Sequence, residues 1–153
     1  MAAAYSFVSR WRVGASADRC WSEIERMLAP GAGPSWWRGV TLVETPSALE
    51  AGERMTLAVR SPLGYRLRVR LAIVDVVPGV RIVAASDGDL RGAGSIEVVP
   101  GGADAASIVF HWDVATERPW MNRTAFVLRP VFERAHASVM RAGERGLARA
   151  LGG

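Results

Sequence analysis

The chain has 153 residues, half of them hydrophobic, and six tryptophans, which excludes a disordered chain and supplies one real core, since a domain of about 150 residues buries roughly 68–70% of its unfolded surface. Its 19 basic residues, all arginine, stand against 15 acids for a net charge of +4. The arginines alternate with apolar residues along strands and form no patch that could track phosphates, which argues against nucleic-acid binding.

The first eight residues are apolar but lack a basic head and a cleavage site, and Arg10 and Arg12 follow at once. No signal peptide is expected, and the chain is placed in the cytoplasm as a single domain over 1–153. Tyr5, Phe7, Ser9, Trp11 and Val13 alternate with Ser6, Val8, Arg10 and Arg12, the pattern of a strand with one face on a core. Gly14 ends it. Ser16 can cap a helix in which Ala17, Trp21, Ile24 and Leu28 make one stripe and Asp18 lies in the first turn, with Pro30 and Gly31 as the stop. Cys20, the only cysteine, falls on this helix as a small core residue, which rules out an internal disulfide and a cysteine-based metal cluster. The loop over 31–39 then sets Trp36 beside Trp37, and two tryptophans in a Pro/Gly-rich segment must bury against some other element. A hydrophobic plug at the end of a sheet and a ligand wall both satisfy that requirement.

From Val40 the pattern has period two for some seventy residues. Strands are predicted over 40–44, 54–60, 64–77, 81–87, 90–99 and 106–116, separated by Pro46, Ala51-Gly52, 61–64, Pro78-Gly79, 87–89 and 100–102. All connections are short, so neighbours pair as antiparallel hairpins. The apolar run over 71–77 is too short to span a bilayer and carries Asp75, so no membrane insertion is expected. Parity turns Met55, Leu57 and Val59, then Tyr65, Leu67, Val69, Leu71 and Ile73, then Ile108, Phe110, Trp112 and Val114 toward one face.

The last thirty residues switch to a helical period. Val127, Val131, Ala135, Val139, Gly143 and Gly146 or Leu147 recur at three- and four-residue steps with arginines between them. Pro130 predicts a kink or a break near Arg129, with the main helix starting at about Val131. Gly143 and Gly146 each cost about 1 kcal/mol against alanine, so a strand or a ligand must approach the backbone there. The expected α+β architecture is a curled sheet of seven antiparallel strands covered on its apolar face by the terminal helix. Small inner-face residues (Ala84, Ser86, Gly92 and Gly94) together with the two helical glycines predict an under-filled interior.

Several segments of the chain resemble the START-like or SRPBCC superfamily, the helix-grip fold of polyketide cyclases, Bet v 1-like plant allergens and lipid-transfer domains. They are Trp21, the 35–40 segment Ser-Trp-Trp-Arg-Gly-Val, the 86–92 segment around Gly88, Phe110-His111-Trp112, the Arg118 to Asn122 segment, and His136 through Leu147. Taken together they are similar to a bacterial cyclase/dehydrase-like branch, over nearly the whole chain. The resemblance implies a deep hydrophobic pocket between sheet and terminal helix, and it does not imply one reaction.

The expected pocket lining is Trp36, Trp37, Leu67, Val69, Trp112, Trp120, Arg129, Phe132 and His136. No metal or nucleotide cofactor is expected, since His111 and His136 lie on different elements outside any ligand spacing and no Gly-rich phosphate motif opens a helix. A serine nucleophile lacks its elbow motif. His136, beside the inward stripe of the helix, is the candidate general acid/base and is expected to titrate near neutrality; a boundary histidine at the sheet edge is the competing reading. His111 has outward parity, Arg129 is a candidate for an anionic or carbonyl ligand group at the pocket mouth, and Asp87-Gly88-Asp89 reads as a hairpin turn. Two functions remain open: a carrier or sequestering protein for a hydrophobic small molecule such as a polyketide or lipid, and a polyketide cyclase, aromatase or dehydratase. A protein-interaction module using the sheet edge or the Trp36-Trp37 loop is a third.

Overall fold

The computed structural model of the chain describes residues 3–31 and 33–152. The first two residues of the apolar N-terminal stretch, and Ala32 in the tryptophan loop, lie outside the described residues. Nine elements follow one another: β1 (Ala4–Val13), α1 (Ala17–Leu28), β2 (Val40–Glu44), β3 (Arg54–Arg60), β4 (Arg66–Val77), β5 (Arg81–Gly88), β6 (Leu90–Gly102), β7 (Ala105–Thr116) and α2 (Pro119–Ala150). All strands join one antiparallel sheet in the order β1-β7-β6-β5-β4-β3-β2. The helix-grip architecture expected from the period-two and helical stretches is therefore present. β1 does not pair with β2, because α1 and the tryptophan loop carry the chain across to the far edge before the meander begins.

Register shifts at Leu42/Glu44, Ile73/Asp75 and Pro100/Gly102 bulge the sheet, and bulges increase local twist and bend. The second of them turns Asp75 outward to an exposed ion pair with Arg81 at 3.6 Å, which explains an acid inside an apolar run. At the third, β6 continues through Pro100 to Gly102 where a break was predicted; Pro100 stays opposite Ala106, Gly101 is the extra residue of the bulge, and the proline is tolerated because β5 pairs β6 only as far as Glu97. The 87–89 segment is the expected tight turn. Gly88 has φ +89° and its α-carbon sits where a Cβ would come within 2.7 Å of the Arg68 carbonyl oxygen, while Asp89 accepts from the Arg68 amide at 2.8 Å.

α1 forms as its sequence requires. The Ser16 hydroxyl accepts the Arg19 amide at 3.3 Å, and Cys20, Trp21, Ile24 and Leu28 are buried against the sheet. α2 departs from expectation in two ways. It runs unbroken through Pro130. The proline leaves the Phe126 carbonyl without its usual partner four residues on, and Phe126 is 87% exposed, so the missing hydrogen bond falls on the solvent side of α2. The stripe departs from prediction in its first half: Val127 is 60% exposed and the buried face begins with Met121, Ala125 and Phe132, whereas Ala135, Gly143, Gly146 and Leu147 are buried as predicted, with Met140 among them.

The two helical glycines admit close neighbours, as expected, but these fill the space and add nothing to the under-filled interior. At Gly143 a Cβ would lie 2.4–2.6 Å from ring atoms of Trp11 and Trp37, and at Gly146 it would overlap the Trp36 backbone carbonyl. The Trp37 indole N–H donates to the Val139 carbonyl at 2.8 Å, locking the loop to the helix. Trp37 also meets Trp11 edge-on with centroids 4.9 Å apart, and Trp11 in turn lies 4.4 Å from Phe110. The tryptophan loop is thus the strand-like neighbour that the glycines admit. The interior consists of two apolar clusters, one around Trp11, Trp21, Ile108 and Leu147 and a smaller one around Ala3, Tyr5, Met121, Ala125 and Phe132.

Candidate functional site: an uncharged cavity under the terminal helix

A cavity of about 260 Å³ lies between the concave face of the sheet and α2, drawing its lining from both apolar clusters. Its walls are chiefly the inward-parity residues of five strands: Tyr5, Phe7 and Ser9 of β1, Met55, Leu57 and Val59 of β3, Leu67, Val69 and Leu71 of β4, Ile82 and Ala84 of β5, and Phe110, Trp112 and Val114 of β7. α2 closes it with Met121, Phe132, Ala135, His136, Val139 and Met140. The space exists because Ala84 and Ala135 are short, and it is shaped by Gly94, whose missing side chain admits the Trp112 ring. No aspartate, glutamate or arginine is among the lining residues.

Of the residues singled out from the sequence, Trp37, Leu67, Val69, Trp112, Phe132 and His136 line this cavity and are brought together by it. Three do not. Trp36 stacks on Trp37 with centroids 6.1 Å apart and an interplanar angle of 2°, and serves as the cap over Gly146. Trp120 is 40% exposed, packed edge-on against Tyr65 and Phe132 from outside. Arg129 donates to the Ala4 carbonyl at 2.8 Å and lies 4.4 Å above the centre of the Tyr5 ring; its charge is directed at the β1 backbone and not at a ligand at the mouth. His111 is exposed on β7 opposite Ser95, as its parity predicts, although it also borders the cavity beside Phe110 and Trp112.

His136 stacks on Phe7 with centroids 3.8 Å apart, nearly parallel. Burial pushes its pKa down to about 4 from the ordinary 6.5, because the interior disfavours the imidazolium. The expectation of titration near neutrality is corrected accordingly: at pH 7 the ring is neutral. Above pH 6.5 both folded and unfolded chains carry it neutral, and between 6.5 and about 4 only the unfolded chain takes up the proton, so stability falls as the pH drops through that window. The loss is at most about 3 kcal/mol and smaller where water reaches the ring. In urea denaturation from pH 7.5 to 4, the wild-type midpoint should fall more steeply below pH 6.5 than that of His136→Phe, which lacks the titrating group. Parallel curves would show that His136 does not cause the acid sensitivity.

Tyr5, Phe7, Tyr65, Phe110 and the methionines Met27, Met55, Met121 and Met140 complete the site and were not singled out from the sequence. The parity of β1 already turned Tyr5 and Phe7 inward, so the signal was there. The parity of β3 likewise turned Met55 inward, whereas nothing distinguished Met27, Met121 and Met140 from core residues, since an apolar helix residue facing a cavity and one filling a core have the same pattern. Among the described residues no group of three or more His, Cys, Asp or Glu side chains converges as for a metal ion, and no helix is long and apolar enough to cross a membrane.

No family model matches the chain, and no curated protein matches its sequence. Solved structures do match its shape. A protein from Thermus thermophilus, TTHA0849, aligns with TM-score 0.72 at 15% identity over 96% of this chain and 97% of that one. The Zhui aromatase/cyclase from Streptomyces sp. R1128 gives TM-score 0.70 at 14% identity over 97% and 94%. A START superfamily protein from Mycobacterium smegmatis gives 0.67 at 16% identity over 95% and 96%. Likeness at this level of identity establishes the fold, which is the START-like helix grip.

Proposed function

We propose that this START-like helix-grip chain binds a hydrophobic small molecule, a polyketide, lipid or similar natural product, in the cavity under α2 and acts as a cytoplasmic carrier or sequestering protein for it. One observation carries the reading: about 260 Å³ of space walled by aromatic and aliphatic side chains with no charged group on the lining. Apolar burial contributes about 25 cal/mol per Å², so a ligand hiding about 300 Å² gains roughly 7.5 kcal/mol, and after the costs of immobilisation its affinity is weaker than micromolar unless more surface is buried. The aromatase/cyclase of the same fold supports a polycyclic or polyketide-like occupant.

A second reading, cyclisation, aromatisation or dehydration of a polyketide-like substrate, rests on the His136 imidazole facing the cavity. With a pKa of about 4 it is a weak proton acceptor at neutral pH, and general-base catalysis works best when the pKa lies near the working pH. The carrier reading is therefore preferred. The test is titration with an apolar ligand such as anthracene, followed by quenching of tryptophan fluorescence, since Trp37 and Trp112 border the cavity. Saturable quenching is expected, and His136→Ala should keep affinity within about tenfold. A drop in turnover of a polyketide-like substrate by roughly 10²–10⁴ in the same variant, with binding intact, would overturn the carrier reading in favour of the enzyme.

A further inference from the structure

Near its N-terminus, α2 shows large apolar residues on the side turned away from the cavity. Phe126 is 87% exposed, Val127 60% and Trp120 40%, and Leu63 in the turn between β3 and β4 is 56% exposed. Single exposed apolar residues are ordinary, but large ones grouped on one surface mark an interaction site. The hairpin and the helix form one surface here. The Tyr65 and Trp120 rings meet edge-on at 5.6 Å, and the Arg118 guanidinium donates to the Arg66 carbonyl at 2.8 Å, which holds the hairpin against the start of α2. Trp120, Arg123, Val127, Pro130 and Arg134 recur at three- and four-residue steps and make one stripe, every member of it exposed.

The charge around this surface has one prevailing sign. Arg60 and Arg66 are exposed and stand directly opposite each other on β3 and β4, an arrangement of like charges that destabilises a sheet. None of the ion pairs among the described residues includes Arg60, Arg66, Arg123 or Arg134. The only acids of α2 are Glu133 and Glu144, and Glu144 accepts the Arg12 amide at 2.9 Å. Arginines that the sequence scatters between apolar residues are thus gathered around exposed apolar side chains. Apolar side chains flanked by such cations suit an anionic lipid surface, the rings entering the headgroup boundary and the guanidiniums meeting the phosphates.

We propose that the exposed face of α2 from Trp120 to Arg134, together with the β3–β4 hairpin, docks on the surface of an anionic bilayer. A second copy of the chain fits less well, since a symmetric contact of this patch with itself would set arginine against arginine. A nucleic acid would leave the aliphatic Leu63 and Val127 without partners. Docking goes beyond the binding reading above and stands without it, but its place gives it a use. Tyr65 and Phe132 line the cavity and hold Trp120 from outside, so a layer of rings separates a docked membrane from the cavity.

Sedimentation with vesicles tests the docking, using pure phosphatidylcholine and an equimolar mixture of phosphatidylcholine and phosphatidylglycerol. The full chain is expected to sediment with the mixture, to be released as salt is raised, and to stay in solution with phosphatidylcholine alone. Phe126→Ser should weaken partition into the mixture by about tenfold or more, the loss of one buried aromatic side chain, and Arg123→Gln by about fivefold. Both positions are exposed, so urea midpoints and tryptophan quenching by anthracene should match the wild type, which separates docking from folding and from the cavity. No binding to the mixture, equal binding to both vesicles, or wild-type partition of Phe126→Ser would each overturn the docking surface and leave hydrophobic binding standing. A dimer that Phe126→Ser dissociates, or RNA binding that Arg123→Gln weakens, found in place of vesicle binding, would overturn it in favour of that partner. Vesicle binding without anthracene quenching would remove the binding reading and leave the docking surface.

Discussion

Gly146→Ala is expected to destabilise the protein by about 2–3 kcal/mol, although alanine is the better helix former. Two effects compete. Replacing a glycine inside a helix gains about 1 kcal/mol of propensity, whereas the new Cβ would overlap the Trp36 carbonyl oxygen, which is backbone and not the end of a movable side chain. The loop cannot withdraw cheaply. The Trp37 indole is bonded to the Val139 carbonyl, the Trp37 amide donates to the Ser35 hydroxyl at 3.0 Å, and the Val40 amide donates to the Trp37 carbonyl at 3.0 Å. Overpacking typically costs about 1–3 kcal/mol and occasionally more, and a Cβ 2.0 Å from a fixed backbone oxygen lies at or above the top of that range, about 3–4 kcal/mol, so a net loss of about 2–3 kcal/mol remains after the propensity gain. Urea denaturation should show a midpoint lowered by roughly 1–2 M with an unchanged slope. Gly14→Ala is the control, since a Cβ there meets nothing within 4 Å. A Gly146→Ala midpoint at or above that of the wild type would refute the docking of the loop on α2.

Ala135→Phe should abolish ligand binding while leaving the fold intact. Ala135 is buried on α2, one residue before His136, and lines the cavity. A ring there enters the space that a ligand would occupy and buries its own apolar surface, a gain of about 2 kcal/mol in the full-burial limit. The variant should therefore keep or raise its urea midpoint while anthracene affinity falls by at least about a hundredfold. Dialysis and denaturation read the two effects separately. Wild-type affinity in a folded Ala135→Phe would sink the assignment of this cavity as the binding site.

The elements were legible because their signals are local. Alternation in the 65–73 and 108–114 stretches reports the pleat, and the Ser16 cap and the Pro30-Gly31 stop report helix ends, each within a few residues of the feature it specifies. Short connections then left antiparallel pairing as the only economical topology, and the inward face followed from parity. Six of the nine residues singled out for the pocket lie on it, half of them for that reason.

What only the tertiary structure decided depends on contacts between distant parts of the chain. Gly143 and Gly146 signalled a close approach, but that it comes from Trp11, Trp36 and Trp37 and not from a ligand is a matter of where the loop lands. Arg129 meets Ala4 across 125 positions, so its engagement with β1 could not be read from its neighbours. Pro130 was judged by its local cost, which solvent exposure at Phe126 relieves. His136 was placed correctly on the helix, yet its lowered pKa reflects how completely Phe7 and the cavity walls exclude water from it. The sequence by itself determined a sheet gripping a helix, because backbone periodicity is a short-range property. The cavity and its lack of charge arose only when side chains from distant parts of the chain were packed to one curvature, because volume and desolvation belong to the assembled interior and to no segment of it.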